Sequence, residues 1–249
     1  MTLNDHELIA DSRIKLILNN NEHVDFSWGE YYAIGTPAYW IDQTKQWPDQ
    51  VIFSSHESLA DELVFCLLGG HGISAELNIA AYFKMKDAGL ISTDPVPSEE
   101  DIEALLRTPL EIMEGKKPVR YRFPVQKSRR INGALKVFSA EVPPRNPLEL
   151  REWLLKISGI GFKTASWIVR NFLRSDDVAI IDIHIQRAGI AAGFFKKIWK
   201  LPKDYKLFEE AFLNYAMLGK VSPSVLDICI WKQMRTFGRH AQSLLPRGR

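Results

Sequence analysis

The chain has 249 residues, 46% of them hydrophobic, with a net charge of +2; that composition builds a packed core and excludes a disordered chain. No apolar stretch is long enough to cross a membrane and the opening MTLNDHELIADSRIK lacks an apolar signal core, so a soluble, intracellular, cytoplasmic protein is expected. Cys66 and Cys229 lie far apart in apolar runs (LVFCLL and LDICIW), which reads as two buried thiols and leaves no Cys-x-x-Cys pair for a zinc ribbon or a four-cysteine iron–sulfur cluster.

Helical periodicity dominates. The first fifty-odd residues hold tryptophans and tyrosines in a pattern that fits no element. VIF at Val51–Phe53 reads as a short strand, His56–Leu68 as a helix closed by Gly69-Gly70, and Ser74–Lys86 as a second helix. Ser98–Arg107 opens with a serine cap and three acids, the charge that suits a helix N-terminus. Thr108–Gln126 is a loop rich in proline and basic residues, followed by a helix over Lys127–Ala140. Pro147–Ser158 places proline in its first turn. Beyond it lie a helix over Phe162–Arg174, a short strand at Val178–Ile181, and helices over Asp182–Gly193, Lys203–Leu218 and Ser222–Phe237, the last capped by Ser222 with Pro223 at its first position. The fold class is all-α, helices packed around one or two cores.

The most informative stretch is Leu154–Asn171, LLKISGIGFKTASWIVRN. One helix ends at Ser158, Gly159-Ile160-Gly161 makes a tight turn, and a new helix starts at once. Glycine on both sides of Ile160 allows backbone conformations that a side chain forbids, and Ile160 tucks between the two helices. The amides of such a turn point outward at a helix N-terminus, a natural phosphate cradle. Lys163 then sits at the positive end of a helix, a poor place for a solvated cation. The same repulsion favours the free amine that a nucleophile needs. Nineteen residues on, VAIIDIHIQ places Asp182 after four apolar residues at the head of the next helix, where it caps. Lys163, Trp167 and Arg170 fall at i, i+4 and i+7 on one helix face, and Asp227 and Trp231 at i and i+4 on another. Asp227 stands among apolar neighbours in SVLDICIW, costly for a carboxylate unless something donates to it. A ligand with two adjacent donors would satisfy it, and two tryptophans offer flat walls.

Ile157, Ser158, Gly159, Ile160, Gly161, Phe162 and Lys163 resemble the helix-hairpin-helix motif of the DNA glycosylase superfamily, although proline is commoner where Ser158 stands. The interval from Lys163 to Asp182 is similar to that of the 8-oxoguanine glycosylase branch. The resemblance implies an enzyme that flips 8-oxoguanine from duplex DNA, forms a Schiff base through Lys163, and breaks the strand by β-elimination, with Asp182 stabilising charge on the sugar. It implies a base pocket of Trp167, Asp227, Trp231 and Arg170. It implies DNA contacts at Gly159, Ile160, Gly161, His184 and Arg187, a wedge at His71 in the loop Gly69–Gly72, and phosphate or cytosine grips at Arg122, Lys127, Arg129 and Arg130. The carbonyl of Gly35 is a candidate acceptor for the N7–H of the lesion.

The expected partner is double-stranded DNA containing 8-oxoguanine, bound by a monomer that in a prokaryote is nucleoid-associated. No membrane is expected, and no metal or other cofactor; the one inorganic ligand left open is a monovalent cation at the hairpin. The whole of 1–249 reads as one glycosylase unit with two helical lobes: 57–170, a helical barrel ending in the hairpin at 154–173, and 1–56 with 171–249. Two rivals stay open. One is a hairpin glycosylase for another damaged base; the other is a non-enzymatic hairpin protein that only binds DNA and needs neither Lys163 nor Asp182.

Overall fold

A computed structural model describes residues 8–46, 56–70, 72–112, 115 and 117–245. In chain order the elements are β1 (Arg13–Ile17), β2 (His23–Ser27), α1 (Pro37–Lys45), α2 (Leu59–Leu68), α3 (Ala75–Asp87), α4 (Glu99–Arg107), α5 (Pro124–Ala140), α6 (Pro147–Leu154), α7 (Phe162–Leu173), α8 (Ile183–Ala192), α9 (Tyr205–Leu218), α10 (Pro223–Phe237) and the single turn α11 (Ala241–Leu244). The chain is mostly helical and divides into two compact units. One spans Phe53–Ser175 and the other joins Met1–Ile52 to Asp176–Arg249.

The 53–175 unit holds α2 to α7. Four of them, α2, α3, α4 and α6, start where short polar side chains replace the missing backbone partners of a first turn. The hydroxyls of Ser58, Ser74 and Ser98 accept from the amides of Asp61, Leu77 and Asp101 at 3.1, 3.2 and 3.0 Å, and Asn146 caps α6. These caps trim the sequence-based starts; α2 begins at Leu59 rather than His56. α5 begins three residues earlier than its apolar pattern suggests, because Pro124 supplies a first turn. Its core is aliphatic, with Leu63, Val64, Leu68, Met85, Ile102, Leu106, Ile131, Leu135, Leu150, Leu154 and Ile168 all fully buried.

The other unit has an aromatic core. β1 and β2 pair antiparallel from Arg13 opposite Ser27 to Ile17 opposite His23, and their alternation turns Leu16, Val24 and Phe26 inward. Phe26 meets Phe194 and Tyr215 edge-on at 6.4 and 6.3 Å, and those two rings stack at 4.1 Å. α8 carries glycine in its interior because a Cβ on Gly189 would lie 2.2 Å from the Phe195 ring. The strands therefore lie in the region where the sequence reading placed no element. The candidate strand at Val178–Ile181 is not one; it is irregular chain with no strand partner among the described residues. The candidate strand at Val51–Phe53 lies outside the described residues.

Candidate active site and nucleic-acid interface

In the 53–175 unit α6 ends at Leu154, four residues before the expected Ser158, and residues 155–159 close a compact turn. The Ile160 amide donates to the Ile157 carbonyl at 3.1 Å, and both side chains are buried. Gly159 has φ +90°, the left-handed region that disfavours a side chain. Space forbids one as well, since a Cβ there would meet Arg130 Cδ at 2.6 Å. Gly161, exposed and with nothing within 4 Å of a Cβ position, opens α7 in an extended conformation. No described side chain caps that first turn, so the end of the hairpin presents backbone toward solvent with the positive end of the helix dipole behind it.

Lys163, the second residue of α7, is exposed, and its Nζ lies 5.9 Å from the centre of the Trp167 ring. Trp167 is half-buried and is held edge-on by Phe65 of α2 at 6.2 Å and 84°. α7 then dives into the core. Arg170 is 7% exposed, and its Nε and Nη2 donate to Asn171 Oδ1 at 3.1 and 2.9 Å. Asn171 donates in turn to Glu62 Oε1 at 2.8 Å, a carboxylate with no exposure at all. This corrects the expectation that Arg170 faces a base pocket: a buried carboxylate requires donors and counter-charge, and Arg170 belongs to that internal network. Burial pushes the Cys66 thiol well up, Glu62 adds to this, and the positive charges of Arg170 and Lys163 oppose it. Glu62 and Phe65 escaped the sequence reading; the one signal was the pair of acids, Asp61 and Glu62, inside the apolar run LADELVFCLL.

The basic segment separates into three roles. Lys127 is not a surface grip. It is 8% exposed and its amine donates to the carbonyls of Leu67 and, at 2.6 Å, Gly69, closing the C-terminal end of α2. Burial, with Arg130 nearby, lowers its pKa to about 8. Arg129 is exposed, with Glu99 Oε1 3.4 Å from its Nε. Arg130 is half-buried along the hairpin, while exposed Arg122 lies against Gly72. His71, the candidate wedge, lies outside the described residues. Among the described residues no group of three or more His, Cys, Asp or Glu is placed to hold a metal ion.

In the other unit Asp182 is nearly buried and caps α8. Its Oδ1 accepts from the amides of His184 and Ile185 at 2.8 and 2.9 Å, so the cap uses one oxygen. His184 is half-buried and Arg187 exposed. The chain leading into Asp182 is held by side chains. The Tyr205 hydroxyl donates to the Ala179 carbonyl at 2.7 Å and accepts from the Ile181 amide at 3.1 Å. Glu209 accepts from the Ala179 amide at 3.0 Å, and Asp227 Oδ2 lies 3.4 Å from the Ile180 amide. Asp227, 3% exposed on α10, thus braces this segment with at least one oxygen. Trp231 is half-buried, with the Arg235 guanidinium 4.6 Å from its ring centre, an i, i+4 pair that the spacing alone allowed. Gly35 has φ +83° in the turn before α1. Ser222 does not cap α10 by its side chain; Asp176 Oδ1 accepts from both the Ser222 hydroxyl and the Ser224 amide, at 2.9 and 3.0 Å.

The sequence profile of a family described as 8-oxoguanine DNA glycosylase, Ogg-HhH, matches residues 43–220. The chain is similar to the 8-oxoguanine DNA glycosylase/AP lyase of Metallosphaera sedula, 35% identical over 126 residues that cover 49% of this chain and 62% of that protein. It therefore spans less than two thirds of that relative's length. It is similar to the protein of the same name from Thermoplasma acidophilum, 30% identical over 185 residues, covering 72% of this chain and 80% of that one. Among solved structures, the 8-oxoguanine DNA glycosylase of Thermotoga maritima matches with a TM-score of 0.54 at 25% identity, over 79% of this chain and 88% of that one.

Proposed function

The chain belongs to the 8-oxoguanine DNA glycosylase family, and from that premise we propose that it is a bifunctional repair enzyme that removes 8-oxoguanine from duplex DNA and then nicks the strand. The observation that carries the reading is the exposed Lys163 amine, two residues after the glycine hairpin and facing the Trp167 ring. The hairpin holds a phosphate of the damaged strand with its backbone and the α7 dipole. The base leaves the stack and needs an aromatic face and a paired acceptor; Trp167 and Trp231 are the candidate faces, and Asp227 is the candidate acceptor for N1–H and the 2-amino group.

Lys163, as the free amine, forms a bond to C1′ while the N-glycosidic bond breaks and its electron pair leaves with the base, which takes up a proton. Asp182 stabilises the positive charge on the sugar. The amine loses its proton as the sugar ring opens to the Schiff base. Removal of a C2′ proton then breaks the C3′–O bond and releases the 3′-side strand with its 5′-phosphate, and hydrolysis frees Lys163. The chemistry calls on no cofactor. His184 and Arg187 meet backbone phosphates, and the enzyme works as a monomer.

Borohydride trapping on an 8-oxoguanine:cytosine duplex tests the reading. A covalent protein–DNA adduct is expected, absent in Lys163→Gln. Stronger trapping on a thymine-glycol duplex would move the substrate to another damaged base, and no adduct on any lesion would reduce the chain to a DNA-binding protein.

A further inference from the structure

Beside the hairpin, α5 and the turn at 156–158 enclose a groove of about 700 Å³. Arg129, Arg130 and Lys156 line it, and among the described residues no acidic one does, although Glu99 Oε1 lies 3.4 Å from Arg129 Nε. Its remaining surface includes Val125, Val137 and Ile157, with the exposed Ser158 at the edge where the groove meets the hairpin. Gly133 lies on this lining in the interior of α5, and a Cβ built on it meets nothing within 4 Å. Glycine in a helix interior weakens the helix relative to alanine, and it is retained where another backbone comes close. Here the described residues offer no neighbour that needs the room.

We propose that this groove binds the DNA strand gripped by the hairpin, taking the next phosphodiester along that strand beyond the one at the Gly159–Gly161 turn. The inference rests on the hairpin being a DNA site. Arg130 and Lys156, with no described acid in the lining, suit phosphate, and Arg129 adds a cation that it shares with Glu99. The apolar lining suits the faces of deoxyribose. The bare backbone at Gly133 lets the strand approach more closely than any side chain would allow. Arg130 ties the two sites together, since its stem covers Gly159 while it also lines the groove.

The test uses the full chain and an undamaged 25-base-pair duplex, with affinity followed by fluorescence anisotropy across a salt series. Lys156→Gln removes one phosphate contact, so the slope of log K against log salt should flatten by about 0.9. Gly133→Leu places a side chain in the groove without changing charge and favours the helix. It should weaken duplex binding severalfold while the melting temperature holds or rises. Wild-type affinity and slope in both variants would overturn the proposal. So would an effect confined to inorganic phosphate or a mononucleotide, which would make the groove a small-anion site. Because the duplex carries no lesion, the outcome is independent of base release. A wild-type protein that fails to trap on 8-oxoguanine while Lys156 and Gly133 still govern duplex affinity would sink the proposed reaction and leave the groove standing.

Discussion

Asp182 caps α8 and, in the proposed reaction, also stabilises charge on the sugar, and one substitution separates the two. The cap of α8 needs an oxygen acceptor, and Asn supplies one about as well as Asp. Charge stabilisation on a sugar needs the negative charge, which Asn lacks. Asp182→Asn should therefore leave urea-unfolding stability within about 0.5 kcal/mol and slow single-turnover base release by roughly 10²–10³-fold. Base release at the wild-type rate would make Asp182 a cap and nothing else. The cap was legible because Asp182 stands where an apolar run ends and a helix begins. Arg170 was misread for a physical reason. Spacing at i, i+4, i+7 fixes which face a side chain occupies but not how deep the helix has sunk by then, and α7 passes from exposed Lys163 to buried Arg170 within two turns.

The segment that leads into Asp182 is irregular chain whose amides and carbonyl are satisfied by Tyr205, Glu209 and Asp227. Buried backbone groups must be paired, and a strand would normally do it. Tyr205→Phe keeps the ring and deletes the hydroxyl, leaving the Ala179 carbonyl and the Ile181 amide without it. The expected cost is about 1–3 kcal/mol. If the clamp positions Asp182, base release should also slow by about tenfold while affinity for an abasic-site duplex stays unchanged. A loss confined to stability would limit Tyr205 to the fold.

Elements whose partners are local were readable. The serine caps, the proline starts and the glycine turn each act within four residues, and the helices built on them lie where the sequence put them to within a few residues. Residues 178–181 carry the apolar signature of a strand, but what decides their state is a hydroxyl and two carboxylates from α9 and α10. The β1–β2 hairpin is likewise only five residues per strand, with core partners more than 160 residues away at Phe194 and Tyr215. Lys127 did leave a signal, since it shares an i, i+4, i+8 face with buried Ile131 and Leu135, whereas Arg129 and Arg130 do not.

At the scale of the whole molecule, the response of stability to pH sums groups that pull in opposite directions. Lys127 titrates near 8 in the fold and near 10.5 when unfolded. Between those values the unfolded chain holds the extra proton, so stability rises with pH; the contribution is complete above about 10.5 and lost as pH falls through 8. Cys66 and Cys229 are raised above their ordinary value near 9, and Tyr82, Tyr121 and Tyr215 above theirs near 10. For these acids the unfolded chain loses its proton first, so stability falls as pH climbs past 9 and 10. The sum should peak near pH 9 rather than at neutrality. Lys127→Met isolates the rising limb, because the stem remains while the titrating amine is gone. The variant is weaker at every pH, since the Leu67 and Gly69 carbonyls lose their donor. Its deficit relative to wild type in urea unfolding should widen from pH 7 to pH 10, by on the order of 1–3 kcal/mol. A deficit that stays flat across that range would mean that the amine remains charged in the fold, held by the two carbonyls against the cost of burial.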